Sequence, residues 1–497
     1  MFFKKLIVSV LARKTKKAVD TWSKKSVKNQ DKIFKKLIAT LAKTKYGKDI
    51  GAHKEMCLVD FQKKSPINSY EDLSPYIKKI SRGEKNVLWR GRPAYFAKTS
   101  GTTSGVKFIP LTIEMLKNQI NSSKEALLLY AFYQNKFDAI NGKMMFIQGS
   151  PVLKKNGQIK TGRLSGIVAN HVPFFLQPNR LPSFETNSIE NWDKKIEGII
   201  NETVDCDLRL IGGIPPWVIM YFQKILKKTH KENANTVFPN LSLYVHGGGN
   251  FKPYKNTLKS MVPNADFLEL YPASEGFFAY QDDINDDGLL LLTNHGVFYE
   301  FIESDNFLQG VFQRITLKDV VLGKNYVLII STCSGLWSYN IGDTVMFVNL
   351  NPYKIIVTGR IKHYISAFGE HVISKEVETA LDMCLMKFGG EVFSFTVCPN
   401  INPENGLPHH DWFIEFIKKP ANFSSFCEYL DTSLRKQNIY YNDLVKNNII
   451  RPLVVNCVKV GSFNNYMKSI GKLGGQNKCP LLSNDRKIGD FLSNYLI

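Results

Sequence analysis

Eight cysteines (Cys57, Cys206, Cys333, Cys384, Cys398, Cys427, Cys457 and Cys479) are spread over 497 residues without one Cys-x-x-Cys pair, and the nine histidines include no His-Glu-x-x-His. A zinc ribbon, a thioredoxin-type dithiol and a helical zinc-protease site are thereby excluded. The scattered cysteines fit a reducing, cytoplasmic setting. Long apolar runs are missing too. The stretch Leu6 to Ala12 stops at Arg13-Lys14, too short for a membrane span and without the small-residue cleavage site of a secretory leader, so a soluble protein is expected. There are no repeats, no low-complexity tract and no long Pro or Gly linker. What is present in quantity is apolar material: 44% hydrophobic and 12% aromatic residues exclude a disordered chain. At roughly 100 to 200 residues per domain, the length suggests two to four domains or one large domain with a smaller partner.

Acidic residues are in short supply, 44 against 65 Lys and Arg, which leaves a formal charge of +21. Fifteen of the basic residues fall in the first 48 positions, in runs such as Phe2-Phe3-Lys4-Lys5-Leu6-Ile7-Val8 and Ile33-Phe34-Lys35-Lys36-Leu37-Ile38. The pattern predicts two basic amphipathic helices over residues 1–50, part of the large domain. Such helices serve either as a weak contact with anionic membrane or nucleic acid, or as a solvated face whose apolar side packs on the body. The second reading is favoured, because Lys, Asn and Ile abound along the whole chain. No RNA-binding aromatic signature or zinc-finger spacing accompanies the charge, so no specific nucleic-acid partner is expected. One histidine doublet, His409-His410 before Asp411, reads as a polar turn entering the strand Trp412 to Ile417, with metal binding the minor alternative.

The middle of the chain alternates helix and strand. Leu116 to Phe137 has helical spacing and leads into Met144-Met145-Phe146-Ile147. The strand Leu208 to Ile211 precedes a helix over Trp217 to Lys228, and the buried-type strands Leu241 to Val245 and Asp266 to Leu270 follow. In such α/β alternation, ligands bind at the carboxyl ends of the strands. From Gly288 to Val357 short strands and turns predict a β-rich subdomain. After Gly359, a helix Ser374 to Lys387, strands Glu391 to Val397 and Trp412 to Ile417, a helix Phe423 to Lys436 and a strand Leu453 to Val460 predict a small α+β domain. The expected organisation is a large α/β domain over 51–358 with this β-rich subdomain, and a small C-terminal α+β domain over 359–497, with a hinge at 360–362.

Four segments carry chemistry. Thr99-Ser100-Gly101-Thr102-Thr103-Ser104-Gly105-Val106-Lys107 lies between strand-like Ala94 to Ala97 and Phe108-Ile109. Its glycines let successive N–H groups face one anion, while its hydroxyls and Lys107 add donors for phosphate oxygens. Walker spacing is absent. Tyr271-Pro272-Ala273-Ser274-Glu275-Gly276 follows a strand directly, which places the Glu275 carboxylate where Mg²⁺ is held beside nucleotide phosphates. Ser338-Tyr339-Asn340-Ile341-Gly342-Asp343 sets an Asp after a glycine turn, suited to accept two ribose hydroxyls or, equally, to cap a β-turn. Gly359-Arg360-Ile361-Lys362-His363-Tyr364-Ile365, followed by Phe368-Gly369-Glu370-His371-Val372, opens the second domain.

In this order the four segments resemble the adenylate-forming superfamily of acyl-CoA synthetases, luciferases and peptide synthetase adenylation domains, over about residues 90–480. Tyr-Pro-Ala-Ser-Glu-Gly-Phe-Phe at 271–278, Tyr-Asn-Ile-Gly-Asp at 339–343 and Gly-Gln-Asn-Lys-Cys-Pro at 475–480 are most similar to the acyl acid amido synthetase family, named after an auxin-responsive promoter of plants and also found in bacteria. The resemblance implies ATP and Mg²⁺ as cofactors. It also implies roles: Ser100, Gly101, Thr102 and Thr103 cradling the phosphates with Lys107 nearby, and Gly247, Gly248 and Gly249 forming a turn along the adenine. Tyr271 and Ser274 would lie beside the nucleotide, Glu275 would bind Mg²⁺, Asp343 would hold the ribose, Arg360 would reach ribose or phosphate, and Lys362 would sit at the hinge. The superfamily's late catalytic lysine is Lys478 or Lys472; Lys478 is preferred for its Gln-x-Lys-x-Pro setting.

Two departures weaken transfer from the CoA-ligase branch: Gly105-Val106-Lys107 stands in place of Gly-x-Pro-Lys, and Met346 stands where an Arg is common. The implied reaction is attack of a carboxylate on the α-phosphorus of ATP, followed by transfer of the acyl group to an amine, an amino acid above all. Thioester formation with CoA and a non-catalytic basic binding protein are the alternatives. A monomer is expected. Aromatic residues between Ile167 and Trp217, among them Phe174, Phe175 and Trp217, line the acid pocket or fill core.

Overall fold

The computed structural model describes residues 2–99, 106–139, 142–172, 174–247, 251, 254–360, 364–370, 372–470 and 479–497. The described chain folds as two units, one of residues 2–99 and 107–360 and the other of residues 364–497 together with Val106.

The first unit is organised by a twelve-stranded sheet. From one edge, Arg180–Leu181, Lys143–Ile147, Leu208–Gly213, Leu243–Gly247 and Asp266–Pro272 run parallel. The order then continues antiparallel through Phe277–Tyr280, Leu289–Leu291, Tyr353–Arg360, Tyr339–Leu350, Asn325–Thr332, Val297–Glu303 and Ile315–Thr316. The β-rich stretch is therefore an extension of the same sheet rather than a separate body. Leu208–Gly213 is buried along nearly its whole length, as expected of a parallel strand covered on both faces. A smaller four-stranded sheet pairs Tyr95–Thr99 with Lys107–Leu111 antiparallel and with Ile159–Gly162 parallel.

Local chemistry fixes the helices that pack on this frame. Ser69 and Asp72 form a reciprocal capping box that starts the helix Tyr70–Ser81. The Thr112 side chain accepts from the Met115 N–H and starts the helix Ile113–Tyr133. The two basic helices are Phe2–Ser23 and Ser26–Leu41. The second buries Leu37, Ile38 and Leu41 in the main core together with Phe61, Trp337 and Phe347. It is further locked by Gln30, whose amide donates to the Thr293 and Val297 carbonyls, both at 2.9 Å, and accepts from the Tyr299 N–H at 2.8 Å. Among the described residues no helix is long and apolar enough to cross a membrane.

The second unit pairs Glu391–Asn400 antiparallel with His409–Lys418, which pairs parallel with Val454–Cys457. Helices Ser374–Phe388 and Phe423–Gln437 pack together, and Cys398, Phe413, Val458, Phe463, Ile488 and Leu492 form a core of its own. The histidine doublet corrects the sequence reading. His409 and His410 are the first two residues of a buried strand, not a turn before it. His410 Nε2 lies 2.8 Å from Glu370 Oε1, and its ring stacks on Phe368 and Tyr441. His409 pairs with Asp411 and Arg451. Carboxylate and ring neighbours hold these imidazoles, and among the described residues no group of three metal-ligating side chains occurs.

Candidate active site

The carboxyl ends of Leu243–Gly247 and Asp266–Pro272 lie side by side in the middle of the large sheet, where parallel order gives way to antiparallel. Gly247 faces Leu270, and a Cβ at this position would stand 2.2 Å from the Leu270 carbonyl oxygen, so glycine is required by close approach. One residue earlier, His246 is buried and stacks on Phe251 with ring centroids 3.7 Å apart. Burial pushes its imidazole down to about 3, so it is neutral at neutral pH. Its Nδ1 has no partner among the described residues.

At the end of the next strand, the Tyr271 hydroxyl donates to Asp343 Oδ2 at 2.6 Å in a buried setting. The two motifs, 72 residues apart, thus meet in one hydrogen bond. Asp343 reaches that position through a bulge rather than a turn. Ile341, Gly342 and Asp343 together oppose the single residue Leu328, and Gly342 takes φ +88° while its N–H bonds to Asn340 Oδ1. Bulges of this kind re-aim a side chain without ending the strand. Ser274 and Glu275 occupy a tight turn closed by reciprocal backbone bonds between Ala273 and Gly276, at 2.8 and 3.2 Å. The turn is held from the helix Ile113–Tyr133 by Gln119, which donates to the Ala273 carbonyl at 2.8 Å. Both side chains are half-buried.

Gly247 and Tyr271 thus sit on neighbouring central strands, Ser274 and Glu275 on the turn that follows the second, and Asp343 reaches Tyr271 from a strand that three others separate from it in the sheet order. Lys107 stands instead on the smaller sheet, paired with Thr99, its ammonium 5.5 Å over the Tyr70 ring. Arg360 closes the strand beside Asp343, in register with it. Ser100, Gly101, Thr102, Thr103, Gly248, Gly249, Lys362, Lys472 and Lys478 lie outside the described residues, as do the side chains of Arg360, Phe174 and Phe175. Trp217 is half-buried.

Several supporting residues escape a reading of the sequence. Asn68 is buried, and its side chain donates to the Trp337 carbonyl at 2.7 Å while its backbone brackets the start of the Asp343 strand through Ser338 and Asn340. A lone Asn before a capping box gives no signal of this. Lys195 is buried at the carboxyl end of Lys143–Ile147, donating to the carbonyls of Gln148 and Asn187; burial, reinforced by Arg163, pushes it down to about 8. His246, by contrast, is flagged by its place in the His-Gly-Gly-Gly run.

Three family models match in order: the GH3 family N-terminal domain over residues 15–190, the central domain over 290–360 and the C-terminal domain over 375–487. The chain belongs to the GH3 family. Similar GH3 proteins include jasmonoyl–L-amino acid synthetase JAR4 of Nicotiana attenuata, 23% identical with 91% of this chain and 90% of that protein covered. Another is indole-3-acetic acid-amido synthetase GH3.10 of Arabidopsis thaliana, 22% identical over 87% of each chain. Among solved structures, the AtGH3.15 acyl acid amido synthetase in complex with 2,4-DB matches with a TM-score of 0.63 at 16% identity, covering 98% and 96% of the two chains. A 2-hydroxyisobutyryl-CoA ligase in complex with 2-HIB-AMP and CoA matches at 0.59 and 12%, covering 95% and 91%. These likenesses establish the GH3 and adenylate-forming fold for the chain.

Proposed function

We propose that this GH3 chain is an AMP-forming ligase that adenylates a carboxylic acid and passes the acyl group to an amine, an amino acid above all. The observation that carries this reading is the bond from Tyr271 to Asp343, which brings the Asp343 motif to the carboxyl end of Asp266–Pro272, where the Glu275 turn begins. It stands in a chain whose relatives, aligned over most of their length, are named as a jasmonoyl–L-amino acid synthetase and an indole-3-acetic acid-amido synthetase.

The described residues suit a nucleotide. Gly247 lets its strand end pass against Leu270, where any Cβ would collide with the carbonyl oxygen, and leads into the glycine run proposed to lie along the adenine. The two oxygens of a carboxylate offer about four acceptor positions, a number suited to accepting from ribose hydroxyls as well as from Tyr271. Glu275 supplies one hard oxygen ligand, and a cation bound there would take its remaining ligands from phosphate and water, as Mg²⁺ does. Mg²⁺ so held would neutralise charge on the departing pyrophosphate.

In the first step a carboxylate oxygen attacks the α-phosphorus in line, and pyrophosphate leaves with the electron pair of the broken P–O bond. In the second, an amine attacks the acyl carbon, AMP leaves and the amine loses a proton. No protein nucleophile takes part; the chain positions reactants and stabilises charge. Ser100 to Thr103 with Lys107 hold the phosphates, Gly247 to Gly249 line the adenine, Tyr271 and Ser274 flank the nucleotide, and Arg360 reaches ribose or phosphate. Lys478, in preference to Lys472, faces the reacting phosphate, and residues 360–362 form the hinge about which 359–497 reorients between steps. The eight cysteines, free in the structure, suit a reducing cytoplasm.

Pyrophosphate exchange into ATP, run with a panel of carboxylic acids at saturating Mg²⁺, tests the adenylation step, and no exchange with any acid refutes it. Glu275→Gln is expected to lower exchange by at least about a hundredfold, the scale of losing one preorganised charge contact. Mass analysis after adding amino acids or CoA then identifies the acceptor: amide confirms the assignment, and thioester alone reverses it.

A further inference from the structure

The helix Phe2–Ser23 is apolar on two faces, and its packing uses one. Inward, Ala12 and Val19 are buried, and the helix packs along Ile113–Tyr133. Outward, Leu6, Ile7, Val10 and Leu11 remain 52%, 44%, 58% and 38% exposed. Their i, i+1, i+4, i+5 spacing sets them on one stripe of the helix. A helix lying on a folded body needs a single apolar stripe, so this second one is unaccounted for by the fold. Successive turns continue it with Arg13, Lys14 and Lys17, all exposed and, among the described residues, without an ion-pair partner. At the junction with the next helix, Lys24, Lys25 and Lys28 line an open depression of about 580 Å³.

We propose that this stripe docks on an anionic lipid bilayer, the helix lying in the headgroup plane with Leu6, Ile7, Val10 and Leu11 at the acyl boundary and the lysines on the headgroups. Charge decides the occupant. A second copy would bring two lysine-rich faces together, which like-charge repulsion opposes. A nucleic acid would satisfy the cations and leave four apolar side chains in water. An anionic bilayer uses both halves of the stripe, apolar burial adding to electrostatic attraction. Because the inward face stays packed, docking requires no unfolding and leaves the nucleotide site untouched.

Co-sedimentation of the full chain with phosphatidylserine-containing phosphatidylcholine vesicles, against phosphatidylcholine alone, tests this. The chain is expected to sediment with the anionic vesicles only and to be released by salt. Lys14→Ala with Lys17→Ala should weaken partition about thirtyfold, from the loss of two cations near the surface. Leu6→Asp with Val10→Asp should abolish it while thermal stability and pyrophosphate exchange stay at wild-type values. Failure of the wild-type chain to sediment, or sedimentation of the Asp variant like wild type, overturns the proposal. So does a dimer in lipid-free analytical ultracentrifugation that the Asp variant dissolves, since the stripe then belongs to a second copy.

Discussion

A hydrogen bond from the Tyr271 hydroxyl to Asp343 helps to orient the carboxylate proposed to hold the ribose. Tyr271→Phe removes the donor and keeps the ring on Phe278, 5.1 Å away. The expected result is a rise of about tenfold in KM for ATP with kcat nearly unchanged, matching about 1.5 kcal/mol for a bond to a charged group. Steady-state kinetics checks it, and an unaltered KM contradicts the orienting role. In the second unit, Asp411 is buried, which favours its neutral form, yet bonds from His409 and Arg486 outweigh burial and hold its carboxyl at about 2. A carboxyl held below its unfolded value stabilises the fold at higher pH and loses that contribution as pH falls through the folded value. Asp411→Asn should therefore cost about 2 kcal/mol above pH ~4, shrinking towards zero near pH ~2. Urea titrations of both proteins at stepped pH measure this, and a cost independent of pH argues against it. Both motifs in the Tyr271–Asp343 pair were legible as sequence. Their bond was not, because it joins side chains on strands that three others separate in the twelve-stranded sheet, an approach that local pattern does not encode.

Among the elements, the helix Ser26–Leu41 shows how far pattern reading reaches. Its amphipathic spacing predicts a helix with one buried side, and Leu37, Ile38 and Leu41 bear that out. Gln30 carries no signal in a lysine-rich stretch, yet it makes three bonds to the backbone between Thr293 and Tyr299. Gln30→Leu keeps the volume and leaves one N–H and two carbonyls unpaired in the core, which should cost about 3 kcal/mol. Chemical denaturation reads the loss directly; a change under about 0.5 kcal/mol, the scale of an ordinary surface substitution, would disprove the anchoring. The stretch Gly288 to Val357 was legible as strands and turns but not as part of the main sheet. Its entry strand, Leu289–Leu291, pairs with Phe277–Tyr280 on one side and with the distant Tyr353–Arg360 on the other, a non-sequential adjacency that local propensity does not encode.

For the whole molecule, each unit encloses its own buried cluster, one around Phe61, Trp337 and Phe347 and another around Phe413, Phe463 and Leu492. Independent cores predict that heat unfolds the chain in more than one step. Calorimetry should give a calorimetric enthalpy larger than the van't Hoff value, and a single transition with equal enthalpies is the contrary outcome. Adenosine nucleotide should raise the transition of the first unit, where the strand-end residues lie. The bulge at Gly342 has a different kind of consequence, for how insertions and deletions are tolerated. From Asn340 to Thr344 the strand advances four residues while its neighbour retreats two, from Ile329 to Val327, so the alternation of faces survives the irregularity. Removing one residue between Tyr339 and Asp343 would turn every side chain from Thr344 to Leu350 to the opposite face, whereas removing two would preserve the phase. In aligning this chain with its relatives, a gap of one in this strand would thus be structurally costlier than a gap of two.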